Sequence, residues 1–259
     1  MLKRSKSKEN QHALWQERAT KYNQLEWVSK SNILQGLSII GDFKSHHKVL
    51  DVGCGTGKVA HTVAPYVQEV HGIDFSSEMI SQIDTQQFPN IFPKEASASN
   101  LPYPDNSFDR VTARLVLHHI TDSKEMDDTL QEIKRVLKPD GKFIISEGVP
   151  PSAELKPDFE EIFKLKESRI TFLPEDLTYL LRKNGFKNIR VNTIIDEHMS
   201  EKNWLENAGN LSQEDINKIY SLHKNARALF KESYNLRDLG HDIFIDVKVA
   251  IITGENHSD

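Results

Sequence analysis

The sequence predicts an α/β fold, with one mostly parallel sheet, helices on both faces, and a helical insertion before a last, antiparallel strand. Three observations carry this. Short apolar runs alternate with helical patterns along most of the chain. A junction between an apolar run and a helical pattern, at 48–63, holds Gly53, Gly55 and Gly57 on alternate positions. The final run, 241–253, alternates apolar with polar residues, as an antiparallel strand with unequal faces does.

Bulk properties limit the function. The 259 residues suffice for one large domain or a domain with a substantial insertion. A formal net charge of -5 argues against a nucleic-acid binder that relies on neutralising phosphates. The single cysteine, Cys54, excludes an internal disulfide and any multi-cysteine metal site, and fits a reducing compartment. No apolar run approaches the ~20 residues needed to cross a bilayer. The basic start (Lys3, Arg4, Lys6, Lys8) lacks the apolar segment of a signal peptide. The expectation is a cytoplasmic protein with a solvated tail over 1–9.

Residues 10–45 read as a helical arm. Trp15, Ala19 and Tyr22, then Ile33, Leu34 and Leu37, recur at helical steps, with Ser29 and Ser31 as caps of the second helix. A core follows over 46–195 and 241–253. Its first strand (Val49, Leu50, Val52) breaks at the glycines. A helix begins with Val59, Ala60 and Val63, so the loop between offers N–H groups and a bare backbone to a nucleotide-like ligand. Glu69-Val-His-Gly-Ile-Asp74 is a second strand ending in an acid, placed where a βαβ unit sets a carboxylate against ribose hydroxyls. A short third strand opens near Asn90.

Phe108 to Leu117 forms the fourth strand, whose end, Arg114 to His119, faces the ligand side of a parallel sheet. His118 and His119 invite a metal reading. Adjacent side chains diverge, however, and no third ligand lies at a suitable spacing, so no metal is expected. Each is a candidate base or polar anchor, or a histidine bonded beneath its loop. Lys124 to Lys138 is a helix capped by Asp122 or Ser123, and Leu137-Lys-Pro-Asp-Gly141 turns it into a fifth strand, Lys142 to Ser146. Glu147 ends that strand, either solvated or lining a substrate. Leu155 to Lys166 and Pro174 to Lys183 are helices, and Phe186 to Ile195 is the sixth strand. Residues 196–240 are too many for a hairpin and carry two or three amphipathic helices, Ser212 capping one, which read as a lid.

Three phrases are similar to the class I S-adenosylmethionine-dependent methyltransferases, in particular their ubiquinone/menaquinone-biosynthesis-like small-molecule subgroup. They are Val49-Leu-Asp-Val-Gly-Cys-Gly-Thr-Gly57, Leu101-Pro-Tyr-Pro-Asp-Asn-Ser-Phe-Asp109 and the turn at 137–141. Glycines spaced Gly-x-Gly-x-Gly also differ from the two-residue gap of dinucleotide dehydrogenases. The resemblance implies a Rossmann-like, seven-stranded sheet and S-adenosyl-L-methionine as cofactor. Asp51, Gly53, Cys54, Gly55, Thr56 and Gly57 would hold its methionine and ribose portions. Asp74 would take the ribose, and Phe75 and Met79 the adenine face. Ser97 stands where the family carries an acid near the adenine amino group, and the backbone at Ala98 can bond there too. Arg114 would face the pocket, while Tyr22 and Arg18 reach it from the arm, Arg18 pairing with the cofactor carboxylate.

The implied reaction is in-line transfer of the sulfonium methyl to O, N or C of a small, aromatic or lipophilic acceptor. His118 is the first candidate base and His119 the second. The resemblance reaches the cofactor half and leaves the acceptor region, 147–240, without a signature. The alternatives are a non-catalytic protein binding the same cofactor, its pocket filled by Trp204 or Phe230, and an NAD(P)-dependent oxidoreductase on a related fold. The acidic balance opposes an RNA substrate.

Overall fold

A computed structural model describes residues 15, 18, 19, 21–26, 32–209 and 211–257. The expected tail, much of the arm, and the caps at Ser29 and Ser31 lie outside the described residues. Strands β1 (Lys48–Val52), β2 (Glu69–Asp74), β3 (Ile91–Glu95), β4 (Phe108–Arg114) and β5 (Leu137–Gly148) pair in parallel. Strand β8 (Ile243–Asn256) runs antiparallel between β5 and β6 (Lys187–Ser200), giving the order β3-β2-β1-β4-β5-β8-β6. The fold is thus the Rossmann-like α/β sheet expected, with one addition: the two-residue β7 (Arg237–Asp238) folds back on β8.

Side-chain alternation along the strands sends Leu50 and Val52 to one face and Val49 to the other. The first face is covered by α4 (Ser123–Val136), through Leu130 and Ile133, and by α6 (Pro174–Lys183), through Leu177 and Leu181. The second is covered by α1 (Asn32–Gly41) and α2 (Lys58–Val63), with Ile33, Leu37, Val59 and Val63 buried there. Asp122 caps α4, its Oδ1 accepting from the N–H of Glu125 at 3.0 Å. In β8 only the first half alternates. From Val249 to Gly254 every residue is buried, because there the strand sits between β5 and β6 with helices on both faces.

Before Val249 strand β8 outruns β5, whose last pair is Gly148 with Val249. It continues as a ribbon with β6, which runs five residues past its expected end and pairs Met199 with Ile245. That ribbon supports α7 (Glu201–Glu206), α8 (Gln213–Lys224) and α9 (Ala228–Ser233), α8 capped by Ser212. These helices pack on α5 (Lys156–Lys166) around their own apolar cluster of Phe159, Ile162, Trp204, Ile219, Phe230 and Ile245.

Candidate active site

Two cavities meet at the carboxyl ends of the parallel strands. The outer cleft, ≈ 360 Å³, is lined by Tyr22, Gly53, Gly55, Asp74, Phe75, Met79, Ser97, Ala98, Arg114 and His119, all residues singled out from the sequence. Gly53, Gly55 and Gly57 all adopt left-handed backbone angles, with φ of 63°, 51° and 80°. A Cβ on Gly53 would stand 2.4 Å from Cγ2 of Val116, whereas one on Gly55 would meet nothing within 4 Å and would enter the cleft. Asp74 closes the loop from the side: its Oδ2 accepts from the N–H of Gly55 at 2.9 Å and its Oδ1 from that of Ser76 at 3.0 Å. Burial raises its pKa, and those N–H groups oppose the rise.

Asp51 lies beneath the loop, fully buried. Thr112 Oγ1 donates to its Oδ1 at 2.7 Å, and its Oδ2 has no hydrogen-bond partner among the described residues. Burial pushes it up to about 7. Of the expected contacts, Asp51, Cys54, Thr56 and Gly57 are not among the residues that line the cleft. Cys54 packs under Gly72 of β2, and burial raises its thiol. Thr56 Oγ1 donates to Asn23 Oδ1 of the arm at 2.9 Å. Gly57 begins α2. Arg18 also lies off the cleft, its Nη1 donating to Glu167 Oε2 at 2.8 Å.

The inner cavity, ≈ 130 Å³, lies between α5, the β6–β8 ribbon and α7–α9. Trp15, Tyr22, Leu115 and His119 line both spaces, so they form the partition between them. His118 and His119 do not diverge as expected. The irregular turn at Leu117–His119 brings their ring centroids to 4.0 Å, and Glu167 from a distant loop completes a group whose ligand atoms lie within 4.8 Å of one another. The surroundings of that group are cationic: Glu167 Oε2 also accepts from Lys166 Nζ at 3.0 Å, and Arg169 Nη1 lies 3.7 Å from Oε1. Burial alone would raise Glu167, but the Lys166 ammonium and the Arg18 guanidinium hold it well below the usual range. Burial lowers Lys166 to about 8 and drives His119 well down, leaving it a neutral imidazole.

Sequence reasoning missed Glu167 and Arg169, which sit in a loop with no periodic signal. It also left Glu147 open between solvent and substrate. Glu147 is wholly buried, its Oε2 2.6 Å from Nδ1 of His118. Phe159 and Phe163, one helical turn apart on α5 and both facing the cavity, were the available clue.

A glycine turn between a strand and a helix, with an acid at the tip of the neighbouring strand, is the arrangement that nucleotide-type cofactor sites on doubly wound sheets share. The methyltransferase-domain family matches residues 50–145. The chain is 31% identical over 178 residues to a demethylmenaquinone methyltransferase of Staphylococcus haemolyticus, covering 64% of this chain and 70% of that protein. It is 35% identical over 120 residues to the methyltransferase YcgJ of Bacillus subtilis, covering 45% of this chain and 46% of YcgJ, less than half of that relative. The crystal structure of YcgJ superposes with a TM-score of 0.74 at 22% identity, covering 88% of this chain and 99% of that one. The chain therefore belongs to the class I S-adenosylmethionine-dependent methyltransferases, of the quinone-biosynthesis type. No helix among the described residues is long and apolar enough to cross a membrane.

Proposed function

We propose that this methyltransferase modifies O, N or C of a small, largely apolar acceptor held in the inner cavity, with S-adenosylmethionine in the outer cleft. The observation that carries this is the shared partition: two spaces with Trp15, Tyr22, Leu115 and His119 as common lining among the described residues suit a donor and an acceptor that must meet face to face. The fit to the cofactor rests on the open space at Gly55 and the unpartnered Oδ2 of Asp51. Gly53 and Gly55 would lie against it, Asp74 would accept from its ribose, and Phe75 and Met79 would flank its adenine beside Ser97 and Ala98. Asp51 and Arg114 would serve its methionine end.

When bound, the cofactor supplies an already activated methyl group. The chain's own task is then to orient the acceptor and exclude water, and orientation alone supplies roughly 7–11 kcal/mol. Residues 196–240 act in this reading as a lid, since α7–α9 and the ribbon furnish Met199, Trp204, Phe230 and Ile245 to the inner wall. Trp204 and Phe230 line the cavity without filling it, which favours turnover over mere cofactor binding. Glu147 orients His118 through Nδ1, leaving Nε2 as its exchanging nitrogen, and neutral His119 stands in the partition. A cytoplasmic setting accords with the lone buried cysteine.

The test is incubation with methyl-labelled cofactor and fractionated cell extract. Label is expected in a low-mass product. Label confined to RNA or protein, or none in a protein that binds S-adenosylhomocysteine, would overturn the assignment.

A further inference from the structure

The inner cavity carries more cationic hydrogen-bonding capacity than the chain itself uses. Arg18, Lys166 and Arg169 line it, their side chains 6%, 9% and 7% exposed, while Glu167 and the neighbouring Glu147 are the carboxylates that face them. Three cations against these two carboxylates leave a local surplus of one, the further buried carboxylate, Glu201, being bonded to His223 Nδ1 at 2.6 Å, in a pocket whose other walls are largely aromatic and aliphatic.

Arg169 is where that surplus is presented. Nη1 is the nitrogen nearest Glu167, at 3.7 Å, and the face of the guanidinium lies 4.3 Å from the ring centroid of Phe163. Nε and Nη2, the two nitrogens of its side edge, are buried and have no hydrogen-bond partner among the described residues. That edge is a planar pair of parallel donors, the arrangement that matches both oxygens of a carboxylate. Tyr234, 3% exposed and on the same cavity wall, also has an Oη without a partner there. Leaving a buried donor unpaired costs about 1–3 kcal/mol, and more for a charged group, so such a set is seldom kept without a use.

We propose that the side edge of Arg169, with the Tyr234 hydroxyl beside it, anchors a carboxylate on the methyl acceptor, so that the acceptor is a small aromatic acid and not a neutral ring. The inference rests on the methyltransferase reading and narrows its acceptor class. The ring lies against Phe159, Phe163 and Trp204, and the acid end takes up the uncompensated charge. A metal cation at the nearby His118, His119 and Glu167 would meet repulsion from the same three cations.

Calorimetric titration of the full chain, with and without saturating S-adenosylhomocysteine, tests this. The probes are benzoate, phenylacetate, their amides, and phenylphosphonate. At least one acid should bind about tenfold or more tightly than its amide, a difference of about 1.4 kcal/mol. Arg169→Gln should abolish that preference while leaving S-adenosylhomocysteine affinity unchanged. Arg169→Lys should recover only part of it, having charge without the fork. Tyr234→Phe should weaken the acid but not the amide by about threefold, which keeps the proposal testable if Arg169→Gln fails to fold. The proposal is overturned if no acid exceeds its amide, if the preference survives Arg169→Gln, or if the phosphonate binds best. Failure to bind S-adenosylhomocysteine would instead count against the cofactor reading, because the acid–amide comparison is also made without it.

Discussion

Nδ1 of His118 stands 2.6 Å from Oε2 of Glu147, and the N–H of His118 donates to Oε1 at 3.4 Å. Both side chains are buried. The carboxylate therefore fixes the ring's orientation at the end of β4, as a positioning residue does for a base. His118→Ala should lower kcat by about 10²-fold, at the lower end of general-base effects, with S-adenosylhomocysteine affinity unchanged. Glu147→Gln should lower kcat less and cost about 1–3 kcal/mol of stability, since one buried partner is lost. Unaltered turnover in His118→Ala, read beside urea melts of both variants, would assign the pair to the scaffold.

Asp51 supplies a pH dependence. Its folded pKa of about 7 lies above the ordinary carboxylate value, chiefly through burial. Between about 4 and that value the native protein holds a proton that the unfolded chain has released, so stability falls as pH rises and levels off above it. The full shift is worth on the order of 4 kcal/mol at most. Asp51→Asn should gain stability relative to wild type between pH 5 and pH 8, measured by urea unfolding at each pH. An ammonium group brought beside the unpartnered Oδ2 favours the ionised form, so wild-type S-adenosylhomocysteine affinity should rise through the same window and that of the variant should not. A stability difference that is flat with pH would mean that Asp51 titrates as an ordinary carboxyl.

The parts of the fold that were legible in the sequence are those written locally. The run ending at Val52, the glycines after it and the acid at Asp74 all belong to one βαβ unit, and each element announces itself within a few residues. The alternation in 241–253 gave away the antiparallel strand. What it concealed was burial from Val249 onward, which depends on the strand's neighbours and not on its own composition. The acceptor side was illegible for the same reason. Glu147, at the end of β5, and Glu167 and Arg169, in the loop after α5, meet the histidines only through tertiary packing, as in the hydrogen bond from the N–H of Ile170 to the carbonyl of His118. Adjacency misled as well: divergence of His118 and His119 is the sequence expectation, but a tight turn brings their rings to 4.0 Å, tilted by 53°.

Gly53 and Gly55 share a backbone conformation and differ in what surrounds them, which makes them a matched pair. Alanine at either pays about 1 kcal/mol for its left-handed angles. At Gly53 the new Cβ also collides with Val116, a stiff β-branched side chain, so Gly53→Ala should show the larger drop in Tm. At Gly55 the Cβ has room in the protein but intrudes on the cleft. Gly55→Ala should therefore lose about tenfold or more in S-adenosylhomocysteine affinity at a smaller cost in Tm. The reverse ranking in paired thermal and calorimetric measurements would place the cofactor away from this loop.

The arm is tied to both halves of the site, and its bonds give a kinetic prediction. Asn23 accepts from Thr56 of the glycine loop and donates to Gln82 at 2.8 Å, and Gln82 in turn donates to the carbonyl of Ala19. On the other side Asn203 of α7 donates to the carbonyl of Gln24 at 3.1 Å and accepts from the N–H of Glu26 at 3.0 Å. Trp15 and Tyr22 of the same arm line both cavities. With donor and acceptor placed as proposed, release from either space requires the arm to loosen. Asn23→Ala removes exposed or half-buried bonds worth about 0.5–1.5 kcal/mol each, enough to quicken opening but small against global stability. Stopped-flow dissociation of S-adenosylhomocysteine should accelerate about three- to tenfold with Tm nearly unchanged. Asn203→Ala should accelerate it too, although its side-chain bonds go to Gln24 and Glu26 of the arm and not to the glycine loop. An effect of Asn23→Ala with none from Asn203→Ala would show that the arm guards the outer cleft alone.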